Sequence, residues 1–125
     1  MHTDSAKRMP YTIQTTEHTN DQITATFTLQ EDDPVFSGHF PGQPVLPGVL
    51  QMRLVADVIG RCLHKKALLK EAAAIKFLAP VVPGVYGTFS VQVHYSRDGA
   101  TLKADAQIQS GAVTFLKMKS VFSLD

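Results

Sequence analysis

Cysteine is almost missing from this chain. Cys62 stands alone, so neither a disulfide within the chain nor a Cys-rich zinc site can be built. A charge excess of either sign is missing too: Lys and Arg number 12, Asp and Glu 11. A dedicated nucleic-acid binder usually carries a basic excess, so the balance argues against one, and it gives no reason to expect a membrane-surface protein. No stretch approaches the roughly 20 apolar residues of a membrane span. Residues 1–10 mix Asp4, Lys7 and Arg8 with no apolar run of signal-peptide length. Internal repeats and low-complexity segments are absent as well. Together these absences lead to the expectation of a soluble protein, and a single cysteine is compatible with a reducing cytoplasm, the expected location.

What is present suits one small packed domain. With 125 residues and 44% hydrophobic content the chain is near the commonest domain size and can fill a core. Residues 1–10 are expected to be a loose tail and 11–125 a single domain. Tyr11 to Thr15 reads as a short strand. Ile23, Ala25, Phe27 and Leu29 alternate with threonines as a half-buried strand does. Between 30 and 48, four prolines and three glycines exclude a ladder or helix, yet Phe36, Phe40, Val45 and Leu46 are interleaved among them. That pattern reads as an ordered loop rather than a flexible linker. From Pro47 the apolar residues Leu50, Leu54, Val55, Val58, Ile59, Cys62 and Leu63 follow helical spacing, with an end expected near Lys65 and Lys66. Four strands follow: 75–79; 85–95, with Val85 on the inner face; one containing Leu102 to Ile108; and 112–124. Turns are expected at Arg97-Asp98-Gly99 and Ser110-Gly111. One helix against an antiparallel sheet is an α+β arrangement. So small a domain has little room for a deep cleft of its own.

The loop carries a recognisable motif. Gly38-His39-Phe40-Pro41-Gly42, followed by Pro44-Val45-Leu46-Pro47-Gly48 and the helix, resembles the signature of the 3-hydroxyacyl-acyl-carrier-protein dehydratases, the FabA/FabZ-like family. Downstream, Lys76-Phe77-Leu78-Ala79-Pro80-Val81-Val82-Pro83-Gly84 is similar to that family's second motif. The resemblance implies a hotdog fold, a curved antiparallel sheet wrapped around one central helix. It implies a dimer, or a higher homo-oligomer, with its acyl tunnel and active site at the subunit interface. It also implies reversible dehydration of a 3-hydroxyacyl thioester, delivered by acyl carrier protein, to the trans-2-enoyl thioester, with no metal or other cofactor.

The residue types suit that chemistry. Loss of water across C2 and C3 needs a base, and a neutral imidazole such as His39 serves near pH 7. Charge then develops on the thioester oxygen, which the Gly48 N–H at a helix start can meet. By resemblance, loop backbone near Val45 accepts a hydrogen bond from the other ring nitrogen of His39. Phe40, Val45 and Val49 are the candidate substrate-binding residues. His2, His18, His64 and His94 carry no such context and are read as structural or solvent-exposed, and Cys62 as core.

One position departs from the family pattern. The helix acid expected fourteen residues after the histidine is Arg53. Arginine cannot release a proton at ordinary pH but can polarise a hydroxyl or hold an anion. Asp57, one turn on, is the alternative acid, acting directly or through water. Against both stands the plain reading of Arg53, Asp57 and Arg61 as a polar helix stripe. The departure hints at a specialised lipid or polyene pathway. It also keeps open a catalytically impaired acyl-binding protein, or the partner subunit of an active paralogue. An acyl thioesterase is a third alternative, disfavoured by the His39 loop.

Overall fold

The computed structural model describes residues 8–37, 42 and 44–125. Two strands come first, β1 (Tyr11–Thr19) and β2 (Gln22–Leu29). Asn20 and Asp21 join them, and Asn20 takes the left-handed conformation (φ 51°) that asparagine tolerates in tight hairpins. A short 3-10 turn at Pro34–Phe36 opens on Asp33, whose carboxylate accepts from the Val35 N–H at 2.9 Å. The helix α1 (Gly48–Leu63) follows, then β3 (Ala67–Phe77), β4 (Phe89–Asp98), β5 (Thr101–Ser110) and β6 (Val113–Leu124). The strands form one sheet in the order β1-β2-β4-β5-β6-β3, every pair antiparallel.

Alternation along the strands sends one set of side chains to a single core. Ile23, Ala25 and Phe27 of β2 are buried, as are Val91 and Val93 of β4, Leu102 and Ile108 of β5, and Leu116, Met118 and Phe122 of β6. Leu54, Val55, Val58 and Ile59 recur at helical spacing and close that core from α1, each fully buried. Each such side chain contributes roughly 1.5–3 kcal/mol through burial. One helix held by one antiparallel sheet is the α+β hotdog arrangement expected from the motif.

Several local expectations shift. The strand expected at 75–79 is β3, which begins at Ala67. Register shifts between Leu69 and Glu71 and between Ala72 and Ala74 interrupt its alternation, and its alanine run has no strand preference of its own. Pairing with β6 overrides both. Val85 lies before β4, in the turn after Pro83, and is exposed rather than inward-facing. The β5–β6 connection is Gly111-Ala112, one residue later than expected. Arg97 and Asp98 belong to β4, so the turn there is Gly99-Ala100. The helix ends at Leu63, with His64 as its left-handed cap (φ 54°).

Among the other histidines, His18 and His94 sit by the β1–β2 turn. His18 Nε2 lies 2.6 Å from the Tyr95 hydroxyl, and His94 faces Asp21 at 3.4 Å. The Tyr95 hydroxyl also lies 3.2 Å from the Asn20 carbonyl. These are structural contacts of a hairpin end, in line with the reading from sequence. Cys62 is half-buried, and burial pushes its thiol up.

Candidate active site

The start of α1 is built from both motifs. Pro47 holds the extended conformation before the helix (φ −58°, ψ 147°), and its carbonyl accepts from the Leu50 and Gln51 N–H groups at 3.0 and 3.1 Å. Gly48 is thus the first helical residue, and among the described residues no backbone partner takes its N–H. Leu46 is buried and tied to the second motif by its N–H to the Val81 carbonyl at 2.8 Å. Buried Gln51 ties the helix back to the same residue, donating from Nε2 to the Leu46 carbonyl at 3.0 Å.

A side chain at Gly48 would need the Phe77 ring to move. A Cβ there would lie 2.6 Å from Cζ of Phe77, the last residue of β3. The ring therefore rests directly on the helix start while staying half exposed. Val49 points outward, 71% exposed, and Leu78 is also exposed. Val45 is half-buried. An apolar surround thus borders a helix N-terminus, where partial positive charge favours an incoming anion. His39 and Phe40 lie outside the described residues, and with them the expected tautomer contact near Val45.

Arg53 and Asp57 do meet. Arg53 Nε donates to Asp57 Oδ1 at 3.0 Å, as i,i+4 spacing on a helix permits. Arg61, expected in the same stripe, instead reaches the Ile13 carbonyl at 3.3 Å. The other oxygen of Asp57 is taken by a residue that the sequence did not single out: Tyr11 Oη donates to Oδ2 at 2.6 Å. Burial, then the bond to the Asp57 carboxylate, pushes the Tyr11 phenol far above its ordinary range, so it stays protonated. The Asp57 hydrogen bond raises the Arg53 guanidinium further still.

Arg53 and Asp57 border a groove of about 780 Å³ between α1 and the start of β3, with Tyr11 behind Asp57 outside it. Leu50, Met52, Ala56, Leu68 and Leu69 give it apolar walls. Arg61, Lys65 and Lys66 stand at the end of the groove near the helix C-terminus, so cations outnumber the one carboxylate, Asp57. Tyr11 was invisible in the sequence because 46 residues separate it from Asp57. Gln51 was missed because a glutamine in a helix pattern reads as surface. In both cases the only available signal was a polar side chain among apolar neighbours.

Known proteins agree with this architecture. A family model described as ApeI-like, ApeI dehydratase, matches residues 14–115. The chain is similar to the 3-hydroxyacyl-[acyl-carrier-protein] dehydratase FabZ of Haemophilus influenzae (strain PittEE), 34% identical over an alignment of 87 residues that covers 63% of this chain and 59% of that protein. It thus spans less than two thirds of that relative's length. The FabZ of Protochlamydia amoebophila is 32% identical over 107 residues, 80% of this chain and 70% of that protein. Among solved structures, the dehydratase heterocomplex ApeI:P from Xenorhabdus doucetiae superposes with a TM-score of 0.70 at 22% identity, covering 90% of this chain and 96% of that one. With most of its length matched by the family model, the chain belongs to the ApeI-like dehydratase family.

Proposed function

We propose that the protein interconverts 3-hydroxyacyl and trans-2-enoyl thioesters carried on acyl carrier protein. The observation that carries this reading is the Gly38-His39-Phe40-Pro41-Gly42 motif in the sequence shortly before a helix that starts on Gly48, whose N–H has no backbone partner among the described residues. His39 takes the C2 proton. The thioester oxygen gathers charge against the Gly48 N–H, a donor of a type worth roughly 10²–10³ in rate. The C3–O bond then breaks, and the proton returns from the imidazolium to the leaving oxygen as water departs. No metal or redox group enters this sequence of steps.

Arg53 fills the family's acid position, and in this reading it polarises the C3 hydroxyl rather than protonating it. Asp57 holds Arg53. Each of its oxygens already accepts a hydrogen bond, one from Tyr11 and one from Arg53, which suits an acceptor better than a proton donor. Phe40, Val45 and Val49 would border the acyl chain. The groove lies open along β3, an edge strand, so a second subunit is needed to close it.

The test is hydration of a trans-2-enoyl thioester, on acyl carrier protein and on coenzyme A. Wild type is expected to form the 3-hydroxyacyl product, and His39→Ala to lose it. Equal inertness of the two overturns the reading. A second reading is favoured by one observation, Arg53 where a carboxylate is expected: the chain would be one half of a hetero-oligomer whose other subunit supplies the acid. The description of ApeI:P as a heterocomplex fits it. Activity that arises only on mixing with a second hotdog subunit, and is restored to the isolated chain by Arg53→Glu, supports that version. Release of free thiol without enoyl or hydroxyacyl product would instead indicate a thioesterase.

A further inference from the structure

We propose that Tyr11 is a positioning residue: its phenol fixes the Asp57 carboxylate, which aims the Arg53 guanidinium at the 3-hydroxyl of an acyl chain lying in the groove between α1 and β3. The identity of that ligand rests on the dehydratase reading; the positioning itself rests on geometry.

An exposed i,i+4 ion pair holds an arginine only weakly, because two long side chains must be ordered in water. The Arg53–Asp57 pair alone would be such a case, with side chains 59% and 31% exposed. The Tyr11 bond changes it. Tyr11 is buried at the first position of β1, paired with Leu29, and the preceding residue is fixed by the Gln30 N–H to Pro10 carbonyl bond at 2.8 Å. Its phenol is therefore anchored by the sheet and not by the helix that it touches. A rigid ring with two torsions loses little freedom in holding that position. Asp57 is gripped from both sides, Oδ2 by the sheet and Oδ1 by Arg53.

Arg53 meets Asp57 through Nε alone. A guanidinium has five N–H donors in a fixed plane, so fixing the Nε edge sets the direction of the four N–H bonds on the two Nη atoms. Both Arg53 and Asp57 border the groove, beside Leu50, Met52 and Ala56. A chain lying along those apolar walls passes the guanidinium, and a hydroxyl on it could accept a charge-assisted hydrogen bond. A buried tyrosine can satisfy its hydroxyl on any backbone carbonyl. Spending it instead on a helix carboxylate 46 residues away couples β1 to the polar group of the groove.

The experiment has two arms on the full chain in its native assembly. In the first, His39→Ala removes turnover, and dissociation constants are measured for 3-hydroxyoctanoyl pantetheine and octanoyl pantetheine. The hydroxyl is expected to tighten binding about tenfold, the lower range for a hydrogen bond to a charged group. Adding Tyr11→Phe keeps the ring and should erase that preference while octanoyl affinity stays within about twofold. A preference that survives Tyr11→Phe, no preference at the outset, or binding of neither thioester overturns the proposal. In the second arm, with His39 present, Tyr11→Phe should lower kcat/KM about tenfold, yet cause no further loss in an Asp57→Asn background. Additive losses would mean a general structural role and refute the coupling. If the first arm succeeds while the protein with His39 turns over nothing, the dehydratase reading fails and the positioning role stands.

Discussion

At the scale of single residues, the contact between Gly48 and Phe77 makes the start of the helix selective. The N–H, without a backbone partner among the described residues, and the missing side chain are separate features there. An alanine keeps the N–H and fails only on space, since its Cβ would lie 2.6 Å from the aromatic ring. Gly48→Ala should therefore destabilise the fold by about 1 kcal/mol, the lower end of overpacking, because the half-exposed ring can swing aside. In a Phe77→Ala background the same substitution should cost less than about 0.5 kcal/mol, because the clash partner is gone. Urea denaturation of the four proteins in this cycle measures the coupling. Equal costs in both backgrounds would show that the ring is not what reserves the position for glycine. The two residues lie in two motifs that the sequence displays separately. That they touch was not legible, because no local pattern records which residue of β3 ends beside the helix.

At the scale of elements, the helix was legible and β3 was not. Pro47 at the boundary and apolar residues at helical spacing mark α1 by local rules. Gly60 reads in sequence only as a weak point. In the structure it is where the chain turns back: the Lys65 N–H bonds its carbonyl at 3.1 Å, and a Cβ there would meet the Lys65 carbonyl oxygen at 2.7 Å. β3 breaks its alternation twice and takes its order from β6, so its first half sends no periodic signal. The same reasoning covers the three linked side chains Tyr11, Asp57 and Arg53. Arg53 and Asp57 could be paired from i,i+4 spacing, whereas Tyr11 arrives through the sheet. The helix end offers a prediction of its own. His64 caps α1 in the left-handed region, where a Cβ is penalised. His64→Gly should raise stability by about 0.5–1 kcal/mol, the conformational relief less the larger entropy of the unfolded glycine. Thermal unfolding should show this as a rise of about 2–5 °C. A fall would mean that the imidazole makes a contribution the cap geometry does not account for.

At the scale of the whole molecule, the two edges of the sheet differ in chemistry, and that difference bears on where a second subunit would join. β1 presents a polar edge rich in threonine, with Glu17 and His18 exposed near its end. β3 exposes Leu68, Leu69 and Phe77, with Leu78 just beyond it. An exposed edge that is also apolar invites pairing with another chain, whereas a polar one resists it. The groove opens on the β3 side, so a subunit joined there would cover it and bring a second helix toward Arg53. The near balance of 12 cationic and 11 acidic residues also leaves no strong net repulsion between copies. Leu68→Lys with Leu69→Lys should therefore give a folded protein of monomer mass in analytical ultracentrifugation, since both side chains lie outside the core. Hydration of the enoyl thioester should fall together with the mass, because one chain leaves the groove open. Gln14→Lys, on the opposite edge, should change neither. A wild type that is monomeric at micromolar concentration and fully active would show that one chain closes its own site.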